Sequence, residues 1–277
     1  PGFQNYTNGG PQTLSRSFLR GNETDHTLVL INGIKIVDPA TGRGSVDLER
    51  ISLESVERIE ILRGSQSALY GSEAIGGVIN IILKKGGKVW KNSSNIEFSN
   101  RLDKNFNSSV SGNLNNLYFS ASYNHKEGPG ISAAEKSLGY EENDGYNIDS
   151  STLTFDYDLD INTEISLMTR VFTSEIQEDD APLGPIYDAD MQSNFLDWQS
   201  SLKLEKIYKL FTLNTSTSIS KARRYQLKND RKYRYYIADL YIGKIKLNIP
   251  LSNFENLILG TETERSHMET QDEYSAS

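Results

Sequence analysis

From about residue 92 to the last position, apolar and polar residues alternate. Leu117, Phe119, Ala121 and Tyr123 share one face against Tyr118, Ser120, Ser122 and Asn124. Leu153, Phe155, Tyr157 and Leu159 alternate with Thr154, Asp156 and Asp158, and Leu196, Trp198, Leu202 and Leu204 with Asp197, Gln199, Ser201 and Lys203. A period of two is that of β-strands, whose successive side chains point to opposite faces. The pattern predicts a first strand over Asn95–Arg101, then strands over Ser108–Leu114 and Leu117–His125 flanking a two-residue turn at Asn115-Asn116. Another tight turn is predicted at Asp160–Thr163, and long connections over Lys126–Tyr146 and about Ser174–Asp190. Short and long connections taking turns are the signature of a transmembrane β-barrel. A soluble β-sandwich also alternates, but these strands reach about 10–14 residues, beyond the usual five or six, and the polar face lacks charge clusters. About nine strands are expected.

The first 88 residues read differently. His26–Val37 (HTLVLINGIKIV) predicts strand, turn and strand, with Asn32-Gly33 as the turn because both positions accept φ > 0. Val37–Gly44 (VDPATGRG) is a loop rich in breakers. A short helix is predicted over Leu53–Arg58 with Ser52 as its cap. A strand over Arg58–Leu62, a helical turn Ser67–Tyr70 stopped by Gly71, and a closing strand Gly77–Lys84 follow. The last is almost continuously apolar and should be buried on both faces. The fold class is therefore mostly β: a small mixed α/β domain over 1–88, then an antiparallel transmembrane β-barrel portion over 92–277.

Composition refines this picture. Cysteine is absent from the 277 residues, which excludes a disulfide scaffold and cysteine metal sites. No run of 18 apolar residues forms a transmembrane helix. The 15 tyrosines suit aromatic girdles. Residues 1–91 carry 11 Lys and Arg against 9 Asp and Glu, net +2; residues 92–277 carry 18 against 28, net −10, which together give −8. An acidic second part argues against nucleic acid as a partner. His26, His125 and His267 lie far apart, and no HExxH, GxSxG, Walker A or GxGxxG occurs, so no enzyme is expected.

VERIEILRG (56–64) followed by SALYGSEAIGGVINI (67–81), with SFLRGNETDHTLVLINGIKI (17–36) before it, resembles the plug domain of TonB-dependent outer-membrane transporters. The resemblance implies a barrel of about 22 strands, of which this chain holds about nine, so both ends are expected to be truncations. The energy-coupling box is not visible in residues 1–15. Open barrel edges in hydrocarbon cost several kcal/mol per unpaired group, so the chain alone is expected neither to insert stably nor to transport. GISAAE (130–135) and NDGYN (143–147) resemble the second extracellular loop of the cobalamin-transporter subgroup. The implied function is uptake of a scarce nutrient across the outer membrane of a Gram-negative bacterium. Cobalamin or a related corrinoid is the expected cargo. A ferric siderophore or heme is the alternative, as is a passive surface receptor. The implied partners are a TonB-type energy-coupling protein, the small-molecule substrate, and outer-membrane lipid and lipopolysaccharide.

The resemblance also assigns residues. Arg20 and Arg63, each before a glycine, are expected to pair with carboxylates of the barrel wall, for which the planar guanidinium fork is suited. The loop Asp38, Pro39, Ala40, Thr41, Gly42 and Arg43 is the first candidate for substrate binding, with Pro11 and Gln12 second. The two long connections are acidic, Glu175 and Glu178 being read into the second. Carboxylates with backbone carbonyls hold Ca²⁺, and Asp144, Asp179, Asp180 and Asp188 are the candidate ligands; no other cofactor is expected. Lys221–Tyr236 (KARRYQLKNDRKYRYY), basic and aromatic, is read as an extracellular loop with its flanks, facing lipopolysaccharide phosphates.

Overall fold

A computed structural model describes residues 2–7, 15–19, 21, 26–41, 46–64, 67–71, 73–131, 143–178, 191–229, 231–252 and 254–272. The chain opens with a hairpin, β1 (Phe3–Thr7) and β2 (Ser15–Leu19). Next come β3 (Thr27–Ile31) and β4 (Ile34–Lys35), joined by Asn32 and Gly33 at φ +50° and +78°. This two-residue turn matches the right-handed twist of its strands. Asn32 also stitches the sheet: its Oδ1 accepts from the Leu83 amide at 2.9 Å, and its own amide donates to the Ile81 carbonyl at 2.9 Å.

The expected helix at 53–58 is shorter than its pattern. Ser52 caps it, accepting from the Glu54 amide, but it is one 3₁₀ turn, Leu53–Ser55, and the chain becomes strand at Val56. The β-branched Val56 and Ile59 favour the extended form once the cap is spent. β5 (Val56–Arg63), the helical turn α1 (Ser67–Tyr70) and β6 (Gly77–Leu83) complete a four-stranded sheet of order β4-β3-β6-β5. β6 lies parallel to β3 and antiparallel to β5. Both its faces are packed: Ile79, Ile81 and Leu83 join Val29, Ile31 and Ile51, while Val78 joins Leu28, Leu30 and Ala74.

The rest is one antiparallel meander in sequence order. Its strands are β7 (Lys91–Phe98), β8 (Lys104–Leu114), β9 (Leu117–Gly128), β10 (Tyr146–Asp160), β11 (Thr163–Glu178), β12 (Met191–Ile207), β13 (Thr212–Lys228), β14 (Arg231–Pro250) and β15 (Asn256–Asp272). Nine strands agree with the pattern; their bounds do not always. β7 begins at Lys91 and ends at Phe98, earlier than expected. β9 and β11 run on into segments read as connections, so Glu175 and Glu178 belong to a strand. The basic stretch Lys221–Tyr236 is not a loop. It is the tip of a hairpin of two long strands, β13 and β14, turned at Asn229 with φ +49°.

Burial along this sheet is inside out. In β10 the polar Ser150, Thr152, Thr154 and Asp156 are buried, while Leu153, Phe155, Tyr157 and Leu159 are exposed. β11 exposes Leu167 and Val171 on the same outward face, while its inward face buries Ser174 together with Met168, Phe172 and Ile176. A water-soluble sheet would bury the second set. The polar face is turned to the small mixed sheet, as contacts from Lys85 to Asp156 and from the Thr154 hydroxyl to the Lys84 carbonyl show. Among the described residues no helix is long and apolar enough to cross a membrane.

Candidate functional site

The site forms where the segment after β4 meets β11, β12 and β13. Asp38 shapes that segment: its Oδ1 accepts from the Ala40 amide at 3.0 Å, and its carbonyl accepts from the Thr41 amide and hydroxyl. Such side-chain-to-backbone closure is what Asp contributes to turns. Downstream, Asp47 caps the 3₁₀ turn Leu48–Arg50 by accepting from the Glu49 amide, which carries Arg50 to the wall. Asp38 Oδ2 accepts from Arg224 Nη2 of β13 and lies 3.6 Å from Arg50 Nη1. Arg50 Nη1 donates to Asp197 Oδ2 of β12 at 2.9 Å, and Asp197 Oδ1 is 4.0 Å from Arg224 Nη2. Arg170 of β11 donates to the Arg50 carbonyl at 3.0 Å. Phe195 lies beneath two of these cations, its ring centroid 4.6 Å from Arg50 Cζ and 5.5 Å from Arg224 Cζ.

Burial alone would push the Arg50 guanidinium down. The facing carboxylates of Asp197, Asp38 and Asp47 outweigh it and hold Arg50 above its ordinary value. For Asp47 burial wins, pushing the carboxyl up against the pull of Arg50. The two partners thus shift the same way, because Arg50 directs its short hydrogen bond at Asp197 and stands 3.6 Å from Asp47. Asp38, Asp47, Arg50, Arg170, Asp197 and Gln199 line a cavity of ≈ 40 Å³, room for a few waters and not for a nutrient.

Two further ties hold the small sheet to the wall. Lys35 Nζ reaches Glu264 of β15 at 3.1 Å and Glu73, in the turn between α1 and β6, at 2.8 Å. Lys85 reaches Asp156 at 3.1 Å and Glu164 at 3.2 Å. In both lysines burial acts downward but is outweighed by these carboxylates, so each ammonium sits above its ordinary value.

Of the residues expected from sequence, Asp38, Pro39, Ala40 and Thr41 come together against the wall, with Ala40 packed on Ala222 and Ala238. Gly42, Arg43, Pro11, Gln12 and Arg20 lie outside the described residues, as do Asp179, Asp180 and Asp188. Arg63 stands exposed at the end of β5. The wall pairing among the described residues runs instead through Asp38, Arg50, Lys35 and Lys85; sequence reasoning singled out Asp38, as a substrate contact, and not the three cations. Asp144 sits at the closed base of its loop, where Gly130, at φ +66°, leaves no room for a side chain against the Asp144 carbonyl. Among the described residues no cluster of three or more His, Cys, Asp or Glu could hold a metal ion.

The comparisons with known proteins agree with this architecture. Residues 1–78 match the family described as the TonB-dependent Receptor Plug Domain. The vitamin B12 transporter BtuB of Vibrio cholerae is 51% identical over 83 residues, 30% of this chain and 13% of that protein. BtuB of Vibrio vulnificus is 36% identical over 144 residues, 52% of this chain and 22% of that protein. Among solved structures, the siderophore receptor PirA from Acinetobacter baumannii superposes with a TM-score of 0.73 at 19% identity, covering 100% of this chain and 45% of that one. The FrpB iron transporter from Neisseria meningitidis gives 0.78 at 14% identity, covering 98% and 46%. The chain therefore spans less than half the length of these receptors, and at such identity the likeness to solved structures concerns the fold. Residues 1–78 thus match a TonB-dependent receptor plug domain, and the plug-domain match, the B12-transporter relatives and the nine-stranded wall around the small sheet together make this chain similar to TonB-dependent receptors.

Proposed function

We propose that the protein of which this chain is a part takes up a nutrient across the Gram-negative outer membrane, with cobalamin or a related corrinoid as cargo. A TonB-type protein supplies the force. The observation that carries the cargo is the 51% identity to a vitamin B12 transporter across the plug region. The Asp38–Thr41 segment, extending to Gly42 and Arg43, faces the cargo in this reading, and the mixed sheet blocks the lumen until it moves.

Two finer parts belong to the same proposal. Ca²⁺ orders the acidic loops through Asp144, Asp179, Asp180 and Asp188, since hard oxygen ligands suit that ion. Lipopolysaccharide contacts the outer face of β12–β14. There Lys221 lies 5.6 Å from the Trp198 ring, Lys232 lies 4.6 Å from the Tyr225 ring, and Arg223 pairs with Asp239 at 2.8 Å. Cations interleaved with aromatics suit the boundary between apolar band and phosphorylated headgroups.

The test is calorimetric titration of cyanocobalamin into the whole protein in detergent, with Ca²⁺ and then with EDTA. Tight, calcium-dependent binding is expected. Binding that EDTA leaves unchanged keeps the cargo and removes the ion. No binding in either condition removes cobalamin and turns the search to ferric siderophores and heme. Uptake that persists without the TonB-type partner would favour a passive receptor.

A further inference from the structure

We infer that Asp38, Arg50, Asp197 and Arg224 form an ionic latch that positions the Asp38–Thr41 segment against β13, and that Asp38 acts on a cargo through this placement and not as its ligand. The inference rests on reading that segment as cargo-facing only for its functional meaning; the latch itself rests on geometry.

Asp38 has little left to offer a ligand. One carboxylate oxygen is held by the Ala40 amide, and the other by Arg224 with Arg50 beside it. Its side chain is 10% exposed. The four charges form a ring in which each carboxylate faces both guanidiniums. Two inward positions of one strand share the load: Ala222 packs on Ala40, and Arg224 binds Asp38. With Ala238 also at the contact, Ala40 meets small side chains of the wall, and Tyr236 packs beside them.

The ring suits reversible positioning better than permanent attachment. Buried ion pairs fix geometry while adding little net stability over an apolar contact. Arg50 Nε and Asp197 Oδ1 lack a hydrogen-bond partner among the described residues, and both residues line the small cavity described above. Water entering there can satisfy charges one at a time as the ring opens. Each charge keeps a second opposite neighbour when one is lost, so the ring opens stepwise. From Arg224, β13 runs directly to the hairpin tip at Lys228, so a force on that tip reaches the segment through one rigid strand.

The test uses a buried reporter in the whole protein without cargo. The chain has no cysteine and Ala40 is 9% exposed, so Ala40→Cys should react slowly with a maleimide. In the Asp38→Asn and Arg224→Gln backgrounds labelling is expected to accelerate about tenfold, and the double variant should match the faster single variant, because both changes open one ring. Arg224→Lys should stay near the parent. Arg223→Gln, whose side chain pairs with Asp239 on the opposite face, should leave labelling unchanged. Equal labelling in the parent and both single variants overturns the latch, as do accelerations that multiply in the double variant. Should Arg224→Gln fail to assemble, Asp197→Asn replaces it in the same cycle, with the same two outcomes. Because no cargo is present, failure here is separable from failure of the corrinoid reading.

Discussion

Phe155→Arg separates a membrane wall from a soluble sheet. Phe155 is 37% exposed, and its neighbours along the same face of β10 are Leu153, Tyr157 and Leu159. On a soluble sheet, replacing an exposed phenylalanine with arginine changes stability by no more than about 0.5 kcal/mol. The wall predicts otherwise. Phe155 lies five positions from the strand end at Asp160, roughly 17 Å along a strand rising about 3.4 Å per residue. A tilt of about 40° reduces this to a height of about 13 Å, half of an apolar band about 25 Å tall. An arginine at the midplane of such a band costs about 2–4 kcal/mol. The expected loss is therefore about 3 kcal/mol, on the order of a hundredfold in the folded-to-unfolded ratio. The assay is urea unfolding of the whole protein in phospholipid vesicles, with Phe155→Leu as the apolar control. If arginine and leucine both leave stability within about 0.5 kcal/mol of the parent, the outward face does not meet lipid and the inside-out reading is refuted.

Gly86→Val tests the connection between β6 and β7 where it enters the wall. A Cβ at Gly86 would overlap the Gly112 carbonyl and lie 2.5 Å from the Phe119 amide nitrogen, both backbone atoms that cannot swing aside. A loss of about 1–3 kcal/mol or more is expected in thermal or urea unfolding. Gly87→Ala, which meets nothing within 4 Å, should be silent. Arg50→Met strips Asp47 of its cation and leaves Asp38 and Asp197 to Arg224 alone, at a cost of about 3–5 kcal/mol. Arg50→Lys should recover only part of it, because a point charge cannot serve carboxylates on two sides as a fork does; denaturant midpoints check both. For Lys85 the folded-state value lies above the ordinary 10.5. Its tie to Asp156 and Glu164 is therefore complete below pH 10.5 and lost as pH rises through the higher folded value. Hydrogen exchange at residues 84–86 should quicken there in the parent and not in Lys85→Arg.

Much of this fold was legible because it depends on local signals. Asn32-Gly33 announces its turn by the backbone it accepts, and Gly77–Leu83 announces a buried strand by its apolar run. The alternation at Leu153–Leu159 gave the strand, and its long reach gave the barrel. The charged hairpin tip was misread because polarity was taken as a loop signal. In a barrel wall, Arg224 and Gln226 point to a wet interior while Arg223 and Tyr225 point outward, so a strand there can be polar on both faces. The site was harder. Arg50 and Asp197 are 147 positions apart, and Arg224 and Asp38 186. Only the folded sheet, wrapped against the small one, brings them together. A local trace did exist: Asp47 and Arg50, spaced i and i+3, pair across the cap of a single turn, which marks Arg50 as aimed and not free.

The composition of the contact between small sheet and wall bears on how it works. Its apolar part among the described residues is modest, with Met168 in one cluster and Ala222 and Ala238 in another. The rest is charge and hydrogen bond: Lys35 with Glu264, Lys85 with Asp156, Arg50 with Asp197, Arg224 with Asp38, and Arg170 with the Arg50 carbonyl. Apolar burial contributes about 25 cal/mol per Å² wherever the surfaces touch. It would hold the sheet firmly but indifferently to small shifts. Ion pairs are steep in distance and angle, yet a buried pair nets little against hydration. An interface built mainly from them defines one position sharply without making departure from it prohibitive. The uptake proposed above would set both requirements, since the small sheet would have to be displaced for a ligand to pass, and the wall's inward polar face meets them with these same residues.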